Sequence, residues 1–453
     1  MSDQKPTQHG HERRRPRGIY LSIDRPGDIE MSFASLGLGG TDVDVIVCSN
    51  AGQVPGIGDG GGGGIHIAAG KLSIYTAAAG IHPNRVIPVS LDAGTDNQAL
   101  RSDPLYLGNR HAMRAGQDYD AFIERYVQTA SRLFPGALLH FQDFGPELAL
   151  RIPQAYGRDY RVFTDAQGTG AVVLAAVYAA SRVTGIPMKH QEVVVFGAGA
   201  AGVGLADQLR AAIAADGATD EQARSQIWLA DTDGLLFDDR DDLHDSQRPY
   251  ARKRSDSPWA SGPGPVRLID IIEGVAPTVL LGTSAVRGTF TQAVIQAMGQ
   301  ATRRPLIASI SAPAAAIEAM PSDIIAWSDG QALVATAIPA APVEYHGTTF
   351  TIGQMNNVLV YPGLGLGITV SGAAKVTPHM LQAAATAVAR QVDTSQPGAP
   401  LLPGAQSLRT SSALVAEEVV RAAVTDQVAT FNPTNLTQAV HDAMWLPVYP
   451  EVG

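Results

Sequence analysis

The residues with the plainest chemical meaning are Gly197, Gly199 and Gly202, a GxGxxG set immediately after the apolar run EVVVF and before VGLADQLRAAIAA. At a strand-to-helix junction the first glycine permits a tight turn. The second lets backbone N–H groups approach a pyrophosphate, and the third allows the helix to pack closely on the sheet. Partial positive charge at the helix N-terminus completes the cradle, so Gly197, Gly199, Ala200, Ala201 and Gly202 are expected to hold an anionic dinucleotide. Asp231, in IWLADTDG, is the expected acceptor for the adenosine ribose hydroxyls. Its spacing from Gly199 exceeds the usual ~20 residues, a difference that the insert ADGATDEQARSQ explains. No Arg or Lys adjoins it in the sequence, and its carboxylate would repel a 2′-phosphate, which points to NAD rather than NADP.

Such a loop needs alternating strands and helices to position it. From Gly18 the runs GIYLSI, DVDVIVCS, RVIPVSLD and ALLHFQDF alternate with amphipathic stretches such as YDAFIERYVQTASRLF, the pattern of an α/β layered fold. A first α/β domain is predicted over residues 18–164. A second, Rossmann-type domain with C-terminal helices is predicted over 165–453. In it, a helix from about Gly170 to Thr184 leads into EVVVFGAG, and QIWLADTDGLLF, PTVLLGTS and RPLIASIS extend a parallel sheet. The stretch from Phe237 to Val266 is dense in Asp, Arg, Ser and Pro and reads as a surface excursion, with Arg252, Lys253 and Arg254 as solvated charge. Residues 1–17 read as a disordered basic terminus.

Composition narrows the class further. A chain of 453 residues can bury two cores, and 45% hydrophobic against 17% charged residues excludes a disordered protein. The net charge of -10 supplies no positive field for nucleic acid or anionic lipid. Apolar runs stay too short for a membrane span. Cys48 is the only cysteine and lies within a strand-like run, so a buried thiol in a reducing compartment, the cytoplasm, is expected.

Longer runs carry a more specific signal: GKLSIYTAAAGIHP, VSLDAGTDNQALRSDPLYLGNRH, LLHFQDFG, QGTGAVVLA, TDGLLFDD, GTFTQAVIQAMG, IGQMNNVLVYPGLGLG and VDTSQPGA. On these the chain resembles the malic enzyme family over nearly its whole length from Gly18. LDAGTDNQ, LYLGNRH and LLFDD are most similar to its malolactic branch. The resemblance implies NAD, a divalent metal (manganese or magnesium), L-malate bound between two domains, and a homo-oligomer, dimer or tetramer. The products it implies are lactate and CO2 for a malolactic enzyme, or pyruvate, CO2 and NADH for a malic enzyme. Lys71, in AAGKLSIYTAAAG, matches the family's catalytic lysine, the base for the malate hydroxyl. The metal positions carry Gln142, Asp143 and Asp165. These are hard oxygen donors suited to magnesium or manganese, with one carboxylate replaced by an amide, so weaker metal binding is expected. Asn356 and Asn357, in GQMNNVLVYPG, match asparagines that contact malate and the nicotinamide side of the cofactor.

Other positions depart from the family pattern. Ser311, Ala312, Pro313 and Ala314 replace S-N-P-T, removing an amide at Ala312. Gln53 stands near the arginine that receives a malate carboxylate, Asp59 is kept, and the run from Gly60 to Gly64 reads as a mobile lid or a loosened site. The family's N-terminal helical segment, with the tyrosine that protonates the enolate, has no counterpart before RGIYLSI, and strand-borne Tyr20 is not a substitute. Gln142, Ala312 and that tyrosine together carry the alternative reading, a catalytically impaired NAD-binding relative with a binding or regulatory role.

Overall fold

The computed structural model describes residues 18–54, 56–260 and 264–448, so the basic terminus read as disordered lies outside the described residues. Strands β1 (Ile19–Ser22), β2 (Val45–Ser49), β3 (Val86–Asp92), β4 (Leu138–Gln142) and β5 (Val162–Thr164) form a parallel sheet in the order β1-β3-β2-β4-β5. Every residue of β2 is buried, as expected of a parallel strand covered by helices on both faces, and Cys48 lies within it.

The second sheet contains β6 (Val193–Phe196), β7 (Ile227–Asp231), β8 (Gly234–Leu235), β9 (Val279–Gly282), β10 (Leu306–Ser309), β11 (Leu333–Thr336) and β14 (Gly353–Gln354), in the order β14-β11-β10-β9-β6-β7-β8. A separate hairpin pairs β12 (Val343–Tyr345) with β13 (Thr348–Phe350). Only β8 runs antiparallel to its neighbour in the larger sheet, and the arrangement from β8 to β11 is the doubly wound nucleotide-binding order. The order reverses between β6 and β9, and there the glycine loop leaves β6.

Three apolar clusters hold these layers. One covers the outer face of each sheet, and a larger one between them joins β2, the helices Gly64–Ala79, Asp165–Thr184 and Ala200–Ala215, and the C-terminal helices Tyr361–Ser371, Pro378–Ala389 and Leu408–Thr425. The C-terminal helices thereby pack across the first sheet as well as the second.

Two expectations need correction. The helix expected from Gly170 begins at Asp165, capped by reciprocal bonds between Thr164 and Gln167, so Asp165 occupies its first turn. The excursion after Phe237 does lie at the surface, but Arg252 and Arg254 are not the solvated charges expected. Arg252 stacks on Trp228 at 4.0 Å and donates to the carbonyls of Ser225 and Ile227, while Arg254 stacks on Phe237 and pairs with Asp239. Arginine stems cover apolar rings here, and only Lys253 of the three is exposed.

Candidate active site

Lys71 lies on the Gly64–Ala79 helix with 8% of its surface exposed. Its Nζ is 2.6 Å from Asp165 Oδ1 and 4.4 Å from the centre of the Tyr361 ring. The glycine run that leads into this helix is packed rather than loose. Gly61 to Gly63 form a 3-10 turn, the Gly62 N–H donates to the Tyr106 hydroxyl at 2.7 Å, and a Cβ on Gly64 would lie 2.9 Å from the Ser49 carbonyl oxygen. Close approach accounts for Gly61, Gly62 and Gly64, whereas a Cβ on Gly63 would meet nothing.

Asp165 is the centre of the cluster. Its Oδ1 accepts from Lys71 Nζ, from His140 Nε2 at 3.0 Å and from Asn357 Nδ2 at 3.2 Å. Burial alone would raise this carboxyl, but the Lys71 charge and the His140 bond hold it far below the ordinary value. Asp143 closes the end of β4 in the left-handed backbone region, with φ 55°. Such a conformation in a non-glycine residue is strain of the kind found at functional sites. Its carboxyl is raised to about 6, first by burial and then by the negative charge of Asp165. The neighbouring Gln142 donates to Asp143 Oδ2 at 3.3 Å, while its own Oε1 is buried without a partner. Gln53 is also brought here, its N–H bonded to the Asp143 carbonyl at 3.2 Å.

The site thus holds an orphaned amide oxygen beside two carboxylates, one of them raised chiefly by burial. Hard oxygen atoms of this kind fit manganese or magnesium. Among the described residues there is no group of three His, Cys, Asp or Glu placed to hold a metal ion, so Gln142 would have to serve as the third donor. Of the two asparagines, Asn357 joins the cluster directly. Asn356 is exposed and its side-chain carbonyl accepts from the Val358 N–H at 3.0 Å. Ser311 is buried and donates to Glu318, whereas Ala312 is exposed and supplies no polar group.

The dinucleotide loop has the expected form. Gly197 has φ 121° and lies against the Thr283 backbone, and a Cβ on Gly202 would strike the Gly197 carbonyl. Gly199, the residue before the Ala200–Ala215 helix, has open space where its Cβ would be. A cavity of about 580 Å³ runs beside Ala200 and Ala201 to Gln167 and Thr169 on the first turn of the neighbouring helix. Gln247, from the excursion, donates to the Ala198 carbonyl and steadies the loop from behind.

Asp231 ends β7 as expected, but the sequence reading that no basic residue attends it is wrong in space. Arg240 grips both its oxygens at 3.0 and 2.9 Å and is itself held by Asp242. Nine residues separate the pair, and the turn through β8 brings them together. Arg240 is shared between two carboxylates, so the trio stays net negative and the repulsion of a 2′-phosphate is weakened rather than removed.

Sequence reasoning also missed His140 and Tyr75. His140 is fully buried, with Nε2 on Asp165 and Nδ1 2.9 Å from the Tyr75 hydroxyl. Strand alternation puts His140 on the same face as Gln142, and Tyr75 follows Lys71 by one helical turn, so both signals were present.

A doubly wound sheet with its glycine loop at the switch point, facing a lysine and an oxygen-donor cluster at the ends of a second sheet, defines a dinucleotide-dependent enzyme. Comparison with known proteins makes this specific. Residues 166–424 match the family model for the malic enzyme NAD binding domain, and residues 4–157 match that for the malic enzyme N-terminal domain. A Mycobacterium tuberculosis protein named "Putative malate oxidoreductase (NAD)" is 56% identical over 439 residues, spanning 97% of this chain and 80% of that one. NAD-dependent malic enzyme 3 of Bacillus subtilis is 46% identical over 448 residues, spanning 98% and 79%, and the malolactic enzyme of Lactiplantibacillus plantarum is 43% identical over 436 residues, spanning 96% and 79%. The crystal structure of the Entamoeba histolytica malic enzyme shares the fold, with a TM-score of 0.67 at 19% identity over 93% of this chain and 76% of that one. The chain belongs to the malic enzyme family.

Proposed function

We propose that this protein catalyses NAD-dependent decarboxylation of L-malate with the help of a divalent metal ion. The observation that carries the reading is the convergence of Lys71, Asp165 and Asn357 with Gln142 and Asp143 at the ends of β4 and β5, in a chain of this family. Lys71, in its neutral form, would take the proton of the malate hydroxyl at Nζ, and NAD, when bound, would supply the hydride acceptor. Tyr361 walls the lysine below, and Asn357 holds the carboxylate beside it. Asn356 offers its amide to substrate and nicotinamide, and Asp231 receives the adenosine ribose. Gln142, Asp143 and Asp165 would hold manganese or magnesium. When bound, that ion supplies positive charge at the keto oxygen, which eases loss of CO2.

The same reading divides the work between residues 18–164 and 165–453 and sets the enzyme in the cytoplasm as a dimer or tetramer. Among the described residues no helix is long and apolar enough to cross a membrane. The deciding experiment incubates the purified chain with L-malate, NAD and manganese, following NADH by absorbance and assaying pyruvate and lactate separately. Pyruvate with stoichiometric NADH identifies a malic enzyme, and lactate with little free NADH identifies a malolactic enzyme. If neither forms while NAD binds, the proposal fails and the impaired-relative reading takes its place.

A further inference from the structure

We infer that His140, held in turn by Tyr75, positions the Asp165 carboxylate so that one oxygen is committed to the protein and the other is presented to the divalent ion. The inference rests on the metal-dependent reading above. His140 has 0% of its surface exposed and cannot touch a substrate, so whatever it contributes passes through Asp165. Packing does not require an imidazole here. The ring stands edge-on to Tyr75, Phe163 and Tyr361, with centroids 5.8, 4.8 and 5.5 Å away, ring contacts that a hydrocarbon side chain could also make, though it would leave the buried Tyr75 hydroxyl without a partner.

What the imidazole adds is a directed donor. A carboxylate only accepts, so the bond to Asp165 places a ring proton on Nε2, and in the neutral imidazole Nδ1 then accepts. The Tyr75 hydroxyl is the donor it accepts from, at 2.9 Å, and Tyr75 is itself fully buried. One face of the Gly64–Ala79 helix therefore delivers the Lys71 ammonium to Asp165 directly and the Tyr75 hydroxyl to the histidine that supports it. Three N–H groups end on Oδ1, at 2.6, 3.0 and 3.2 Å. Rotating the carboxylate to exchange its oxygens would break all three bonds at once. Oδ2 is left as the ligand, held in one direction, and loss of such a supporting contact typically costs ~10–100-fold in metal affinity.

The test is Mn2+ binding to the full chain, read from the loss of the free-ion electron paramagnetic resonance signal, with NAD affinity measured on the same samples. His140→Gln keeps an N–H near the Nε2 position, whereas His140→Asn keeps its amide near Nδ1 and falls short of Asp165. His140→Leu, close to the ring in volume but without an N–H, separates packing from the donor role and is expected to lose Mn2+ affinity as His140→Asn does. The expected result is Mn2+ affinity within ~3-fold of wild type for His140→Gln and a loss of ~10–100-fold for His140→Asn, with NAD affinity unchanged in both. Equal losses, or no loss in either, overturn the inference. Tyr75→Phe covers the case in which the histidine variants do not fold. It deletes one oxygen and is expected to weaken Mn2+ binding measurably while leaving NAD binding intact, and unaltered Mn2+ affinity there overturns the inference. A wild-type chain that binds NAD but no Mn2+ would instead sink the metal-dependent reading on which the inference stands.

Discussion

Asp165 receives three donors on one oxygen, so the side chains around it differ in what their removal should do. Lys71→Met keeps most of the stem that lies over Tyr361 and deletes the charge and the base. Malate turnover is expected to fall by ~10²–10⁴-fold, the usual contribution of a positioned base, while NAD affinity measured by fluorescence titration stays unchanged. Gln142→Glu works in the opposite direction. It places a negative charge where a buried amide oxygen has no partner, and manganese affinity should rise about tenfold, or ~1.4 kcal/mol; an unaltered affinity would remove position 142 from the metal set. Asp143 adds a pH dependence to the metal-free protein. Its native carboxyl titrates near about 6 against an ordinary 3.8, so the folded state keeps a proton that the unfolded chain releases. The associated stability is fully present below the unfolded value and is lost as pH rises through about 6. Urea unfolding across that range should show a decline that Asp143→Asn flattens. Lys71, Asp143, Asp165 and Asn357 were legible because each sits in a run that resembles the family. His140 and Tyr75 lie in the same runs as Asp143 and Lys71 but were passed over, because the bonds that give them a task join residues 25 and 65 positions apart.

At the scale of elements, the glycine loop is where local sequence and tertiary structure agree most closely. Gly197 and Gly202 are required by contacts within the protein, but Gly199 is not, since its φ of -68° suits any residue and its Cβ would meet nothing. On the proposed reading that space admits the pyrophosphate. Gly199→Val is therefore expected to fold with wild-type stability in urea and to lose NAD affinity by at least tenfold; a variant that binds NAD normally would show that the pyrophosphate does not approach this backbone. Other elements were less readable for identifiable reasons. Gly168 and Gly170 look like turn residues, which hid the true start of the helix at Asp165, although Gly168 packs against Phe163 and Asn357 and Gly170 against the Gln208 side chain. Composition placed the excursion after Phe237 at the surface but not the contacts that its arginines make. Its charges cap strand carbonyls, cover rings and hold Asp231, contacts that depend on where the segment returns to the sheet rather than on its residue types.

At the scale of the whole molecule, the C-terminal helices belong as much to the lysine side of the cleft as to the cofactor side. The Tyr361–Ser371 helix is wedged between the Leu408–Thr425 helix and the Gly64–Ala79 helix. It carries Gly363, Gly365 and Gly367 in its interior, each costing ~0.5–1 kcal/mol relative to alanine in helix formation. Contact explains the choice. A Cβ on Gly363 or Gly367 would come within 2.6 or 2.7 Å of Val415 or Val419, while a Cβ on Gly365, on the opposite face, would come within 2.6 Å of the Tyr75 ring. The two faces thus separate packing from site geometry. Gly367→Ala and Gly365→Ala should both destabilise the fold by ~1–3 kcal/mol, the usual cost of overpacking a core, as read by urea unfolding. Only Gly365→Ala should also displace Tyr75 from His140 and lower manganese affinity and kcat/KM for malate at a temperature where both variants remain folded. Equal activity in the two variants would mean that Tyr75 shifts without consequence for Asp165. A selective loss at Gly365 would show that the end of the chain sets the geometry of a carboxylate two hundred residues before it.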